Sequence, residues 1–235
     1  ENTHAHSGGQ PLPIAYVERV AAIAHDRGVP LHVDGARFFN AAIALGVEPA
    51  ALAAPADSVT FCLSKGLSAP IGSVVVGPAA FIARARRARK LLGGGMRQVG
   101  VLAAAGLVAL DDGPDGTIAR LAEDHANARR LAEGLAELPG IRSPGGIAQP
   151  DEDGPLDPAR VATNFVLFRV ARDRTAFLAA MEARGVLMVA YPRGQIRAVT
   201  HLGVTADDID RVVAAAADAL RATDPSPAAM TAGTV

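Results

Sequence analysis

The stretch from Val29 to Gly66, VPLHVDGARFFNAAIALGVEPAALAAPADSVTFCLSKG, decides the fold. Val29 to Val33 is short and β-leaning and ends at Asp34-Gly35. Phe38 to about Ala54 reads as a helix, and Ser58 to Leu63 as a second strand ending at Ser64-Lys65-Gly66. Strand, helix, strand is a βαβ unit, which places two parallel strands in one sheet with a helix over it. Asp34 and Lys65 lie 65 − 34 = 31 residues apart, about one such unit. Parallel strands carry both residues to the same sheet edge, the edge where open α/β sheets bind ligands.

The pattern extends outward on both sides. Ile14 to Arg27 has apolar residues at helical spacing and stops at Gly28. Ile71 to Val76 is a third strand, too close to Lys65 for a crossover helix, so its direction stays open. A helix from Phe81 to Leu92, three glycines and an apolar helix from Val99 to Leu110 follow; that apolar helix fits burial on most sides. Asp111 to Gly116 is a break that separates a large domain, 1–112, from a small domain, 113–224. The small domain reads as α+β. It has a long helix from Thr117 to Leu138, a Pro- and Gly-rich surface loop from Ser143 to Arg160, and strands at Asn164–Val170, Val186–Ala190 and Ile196–Val199. Thr175 to Arg184 reads as a helix, and a closing helix runs from Thr205, as cap, to Arg221. Residues 225–235 read as a disordered tail.

Composition narrows the function classes. Half of the 235 residues are hydrophobic, and 23 basic against 24 acidic side chains give a net charge of −1. That balance supplies no drive toward nucleic acid or an anionic membrane. No apolar run reaches the roughly 20 residues that a spanning helix needs. The single cysteine, Cys62, makes no internal disulfide and suits a reducing, cytoplasmic setting.

A lysine and an aspartate on one edge point to a specific chemistry. Lysine forms Schiff bases with carbonyl compounds. An aspartate opposite a pyridine nitrogen keeps that nitrogen protonated and makes the ring an electron sink. The pair is what pyridoxal 5'-phosphate (PLP) requires. Taken alone, a lysine after a strand is more often solvated, and an aspartate before glycine more often a turn or a cap. The run Arg84 to Lys90 reads as a solvated helix face, Gly93 to Gly95 as a joint, and Cys62 as buried and inert. His32 and Asp34 alternate on one strand face, but no further cluster completes a zinc site.

Five motifs in order carry a resemblance. They are Asn2-Thr3-His4; His32-Val33-Asp34-Gly35-Ala36-Arg37 with Asn40; Cys62 to Leu67 with Ala69-Pro70-Ile71-Gly72-Ser73; Arg89-Lys90 with Gly93 to Gln98; and Arg197 to His201. Over about residues 1–210 the chain resembles the low-specificity L-threonine aldolases. The resemblance implies an α/β fold of the PLP-dependent transferase type: a large domain with a mostly parallel sheet, incomplete at the N-terminus, plus a small α+β C-terminal domain. It implies retro-aldol cleavage of threonine, allo-threonine and related β-hydroxy amino acids to glycine plus an aldehyde, with PLP as cofactor. Lys65 would be the Schiff-base lysine, Asp34 the partner of the pyridine nitrogen, and Arg37 and Arg197 the binders of the substrate carboxylate. His4 would sit at the active site, and Arg97 and Lys90 near the cofactor phosphate or a subunit boundary. A homotetramer, built as a dimer of dimers, is implied as well. Members of the family are longer at the start, so the chain reads as N-terminally truncated and without the family's phosphate loop and ring-stacking histidine, with strand edges left unpaired. Other readings stay open: another PLP lyase, either β-eliminating or related to serine hydroxymethyltransferase, or a non-catalytic fragment that associates with a complementary chain.

Overall fold

The computed structural model describes residues 1–222, and the expected tail at 225–235 lies outside the described residues. By Cα proximity the chain divides into two compact units: Glu1–Ala5 with Gly9–Asp124, and His6–Gly8 with the chain from His125 onward.

In the first unit, helix α1 (Ile14–His25) buries Val17 and Ala21, one turn apart. Strand β1 (His32–Gly35) alternates, burying Val33 and Gly35 and exposing His32 and Asp34. The helix expected over 38–54 is two helices, α2 (Phe38–Leu45) and α3 (Pro49–Ala53). Gly46 takes a left-handed φ of 65° that lets the Val47 N–H turn back to the Ala42 carbonyl at 3.1 Å, and Pro49 then opens a new helix. Strand β2 (Ser58–Cys62) pairs with β1 in parallel, Asp34 facing Thr60. Strand β3 (Ser73–Val76) pairs antiparallel with β2, because the link from Cys62 is too short for a crossover. The sheet, ordered β1-β2-β3, is therefore mixed, and its parallel half is the pair that carries Asp34 and Lys65.

The sheet is covered by α1 to α3 through a cluster that includes Val17, Val33, Phe38, Leu52 and Val59. Helices α4 (Ala79–Leu91), α5 (Gly100–Ala109) and α6 (Thr117–Ala136) follow. The run Arg84–Lys90 forms an exposed face of α4, apart from half-buried Ala85. The apolar α5 is not enclosed: only Gly106 and Ala109 are buried, while Val101 is 82% and Leu107 75% exposed. The chain packs against one side of α5 alone, through a small cluster of Leu63, Leu67, Ala109, Ile118 and Leu121. Ile118 and Leu121, on the first turns of α6, belong to that cluster, and the first compact unit runs on to Asp124.

The second unit is an antiparallel sheet, ordered β4-β5-β7-β6, packed with helices. Its strands are β4 (Ile141–Arg142), β5 (Phe165–Val170), β6 (Val189–Ala190) and β7 (Ile196–Val199). Helices α7 (Arg174–Glu182) and α8 (Ala206–Ala222) and the later turns of α6 close a core that includes Leu131, Phe168, Phe177, Met181 and Ile196. Phe168 and Phe177 meet edge to face at 6.3 Å. The segment expected as a surface loop, 143–160, is largely irregular yet packed: Ser143, Gln149 and Leu156 are buried. The Gln149 amide donates to the Pro155 carbonyl at 2.7 Å and accepts from the Asp157 N–H at 2.9 Å, which meets the polar demand of a buried loop. Among the described residues no helix is long and apolar enough to cross a membrane.

Candidate active site

Asp34 is the penultimate residue of β1 and Lys65 stands three residues beyond β2, so the parallel pairing carries both toward the same, carboxyl edge of the sheet. Both side chains are exposed. One Asp34 carboxylate oxygen, Oδ1, accepts the Ala36 N–H at 3.0 Å, an Asx-type turn, and Oδ2 is left open. The Lys65 ammonium has no hydrogen-bond or ion-pair partner among the described residues. Lys65 is held by its main chain. The Ser68 N–H donates to the Lys65 carbonyl at 2.9 Å, the Ala69 N–H to Leu63 at 3.0 Å, and the Leu63 N–H to Gly72 at 2.9 Å. Ser68 takes a φ of 61° in this turn. A free amine and a half-occupied carboxylate at one edge are donor and acceptor of the kind a PLP ring and aldehyde need, so these residues fit that cofactor.

The N-terminal motif reaches the same place by contacts that spacing does not reveal. The Asn2 N–H donates to the Asp34 carbonyl at 2.9 Å, and the Asn2 side chain bonds both ways with the Leu12 main chain at 3.0 Å. Thr3 follows, fully buried, with its hydroxyl unpartnered among the described residues. Glu1 links two of the candidates: its carboxylate lies 3.7 Å from the Arg37 guanidinium and 3.7 Å from His4 Nε2. His4, Arg37 and Asp34 are thus gathered around residues 1–4.

Three further candidates are Arg97, Lys90 and Arg197. Arg97 lies in the exposed turn between α4 and α5 and makes no hydrogen bond or ion pair among the described residues; Lys90 is exposed near the end of α4. Arg197 lies on β7 in the second unit. Its guanidinium sits 5.0 Å over the Tyr191 ring and 5.7 Å over Phe165. His6, which belongs to the same unit, stacks on Tyr191 at 5.0 Å. Arg197 Nε is buried with no hydrogen-bond partner among the described residues, on a guanidinium packed over two rings. Neither Tyr191 nor His6 was legible as a site residue, because the stack joins positions far apart in the chain.

His32 shares the Asp34 face, but Ser58 Oγ and Thr60 Oγ1 stand 2.9 and 3.0 Å from its two ring nitrogens. Among the described residues no three His, Cys, Asp or Glu side chains gather as a metal site would. Cys62 is half-buried, where burial was expected, and accepts from Ser73 Oγ at 3.6 Å. A cavity of about 550 Å³ lined by Pro30, His32, Asp57, Ser58, Phe81 and Arg84 lies at the opposite, N-terminal ends of β1 and β2, away from Asp34 and Lys65.

Fold and site together define a class before they define a member. The chain belongs to the β-eliminating lyase family, whose model matches residues 1–171. Its fold is shared with a Listeria monocytogenes protein assigned as an L-allo-threonine aldolase, at a TM-score of 0.70 and 18% identity over 93% of this chain and 60% of that one. Among curated proteins it is similar to low-specificity L-threonine aldolase 1 of Arabidopsis thaliana, 45% identical over 214 residues, covering 89% of this chain and 55% of that protein. It is also similar to the low specificity L-threonine aldolase of Escherichia coli K12, 42% identical over 215 residues, covering 91% and 57%. The likeness read from the five motifs therefore holds over most of the chain. The chain spans little more than half the length of these curated relatives.

Proposed function

We propose that the protein carrying this chain is a PLP-dependent aldehyde-lyase that cleaves L-threonine, L-allo-threonine and related β-hydroxy amino acids to glycine and an aldehyde. The observation that carries this reading is the delivery of an open Asp34 carboxylate and an unpartnered Lys65 amine to one edge of a parallel strand pair. The similar Arabidopsis and E. coli proteins bear names for this reaction. Bound PLP would supply the electron sink for the pair left at the amino acid's α-carbon. Lys65 would hold the cofactor covalently through its side-chain amine. Asp34, through its open oxygen, would keep a proton on the ring nitrogen. The substrate carboxylate would lie against Arg37 and Arg197, whose forked donors suit its two oxygens. Arg97 and Lys90 would lie near the cofactor phosphate or a subunit boundary.

The reaction removes the β-hydroxyl proton, breaks Cα–Cβ and returns a proton to Cα. His4 is this chain's candidate for one of those transfers, each typically worth about 10²–10⁴-fold. We take the assembly to be a homo-oligomer, as a dimer of dimers, in the cytoplasm. The β-eliminating family model favours one second reading, elimination to an oxo acid and ammonia.

Incubation with PLP and L-threonine tests this. Visible absorbance from bound cofactor, with glycine and acetaldehyde as products, is expected, and Lys65→Ala should lose both colour and turnover. Pyruvate and ammonia from L-serine in place of glycine would establish the second reading. Colour retained in Lys65→Ala would end both.

A further inference from the structure

We propose that Arg120 and Asp124, on the first turns of α6, are positioning residues for Lys65: together they clamp the Gly66 carbonyl and so fix the turn that presents the lysine. The inference rests on the reading of Lys65 as the cofactor lysine.

The clamp is built from three contacts. Arg120 Nη2 donates to the Gly66 carbonyl at 3.1 Å, across 54 positions of sequence. The same guanidinium grips Asp124 through both forks, Nη1 to Oδ1 at 2.7 Å and Nη2 to Oδ2 at 3.1 Å. Gly66 is the residue after Lys65 and has little room to move. A Cβ there would stand 3.0 Å from Asn40 Oδ1 and 3.0 Å from Leu121 Cδ2, and Ser68 Oγ also donates to its carbonyl at 3.3 Å. The Lys65 carbonyl is thus held by the Ser68 N–H and the carbonyl of the next residue by Arg120.

The pair is costly for a merely structural tie. The Asp124 side chain is only 1% exposed and that of Arg120 19%, while Arg120 Nε is buried with no partner among the described residues. Helix pairs spaced four residues apart usually lie on the surface. Burying one sacrifices the hydration of two ions, and apolar replacements of similar volume often fold as well or better. What such replacements cannot do is hold a main-chain carbonyl in a fixed direction. A bidentate guanidinium oriented by a buried carboxylate does so, in the same way that supporting hydrogen bonds orient the groups that perform chemistry.

That difference supplies the test. Arg120→Met/Asp124→Leu replaces the ion pair with an apolar pair, which is expected to preserve folding and the melting temperature while removing the clamp. In the PLP-loaded protein the double variant should lower kcat by about 10- to 100-fold, as small misplacements of reacting groups do, with KM for L-threonine little changed. The pH midpoint of the bound cofactor's visible absorbance should move, and colour should develop more slowly when PLP is added to cofactor-free protein. Arg120→Lys, which keeps the charge but loses the fork, should show the same changes in weaker form and is the variant to read if the double variant does not fold. Either folded variant with wild-type kcat, absorbance midpoint and rate of colour development would overturn the proposal. Lys65→Ala, run in parallel, separates the two ideas: if it keeps its colour, the assignment of Lys65 fails and not the clamp alone.

Discussion

At the scale of single residues, one carboxylate oxygen shows how local chemistry sets a pH dependence. Asp57 Oδ2 lies 2.8 Å from His25 Nε2 and accepts the Leu31 N–H at 2.7 Å, tying the end of α1 to the entry of β1. The His25 hydrogen bond first, and the Leu31 N–H second, hold this carboxyl below its ordinary value of 3.8. A carboxyl depressed in the folded state stabilises fully above its unfolded value, and that contribution fades as pH falls through the folded one. Asp57→Asn is therefore expected to melt below wild type at pH 7, modestly since the group is exposed, and the gap should close as pH drops below 3.8. Thermal melts at a series of pH values check this, and a gap independent of pH would refute it. Lys65 and Asp34 were legible at this scale because each follows a short β run and stands beside glycine. The Arg120–Asp124 spacing was visible too, but nothing in it distinguishes a buried clamp from the surface pair that such spacing usually marks.

Helix α8 and the α2–α3 pair show what is legible at the scale of elements. The start of α8 is a capping box: Asp208 Oδ2 accepts the Thr205 N–H at 2.9 Å, and Thr205 Oγ1 accepts the Asp208 N–H at 3.2 Å. The Thr205 main-chain bond, then its hydroxyl, draw the Asp208 carboxyl down to about 2. Thr205→Ala should cost about 1 kcal/mol, seen as a lower urea midpoint with an unchanged slope. A change below the precision of the urea fit would show that packing alone holds the end. The sequence located this cap because its signal is local. It ran α2 into α3 because apolar spacing continues across Gly46, and only the left-handed turn there stops the first helix.

The whole molecule poses a different problem, the exposure of apolar surface. Leu92, at the end of α4, is 88% exposed, and Val101 and Leu107, on α5, are 82% and 75% exposed. Large apolar side chains left exposed along one helix often mark an interface. The chain in solution is expected to self-associate with rising concentration, and Val101→Asp/Leu107→Asp to shift it toward monomer without lowering its melting temperature. Light scattering that shows wild type monomeric at the highest attainable concentration would contradict this. The β1 and β3 edges of the first sheet offer main-chain groups for pairing as well.

The sequence alone determined which residues end the strands, the helical and strand periods, the Thr205 cap and the family, since all of these are written in neighbouring positions or in their spacing. Tertiary structure decided the antiparallel course of β3, the exposed side of α5, the anchoring of Asn2 to Asp34, and the grip of Arg120 on Gly66. Each joins residues whose separation along the chain carries no periodic signal. Such contacts follow from how packed elements exclude water and satisfy one another's polar groups, and that depends on the folded arrangement as a whole.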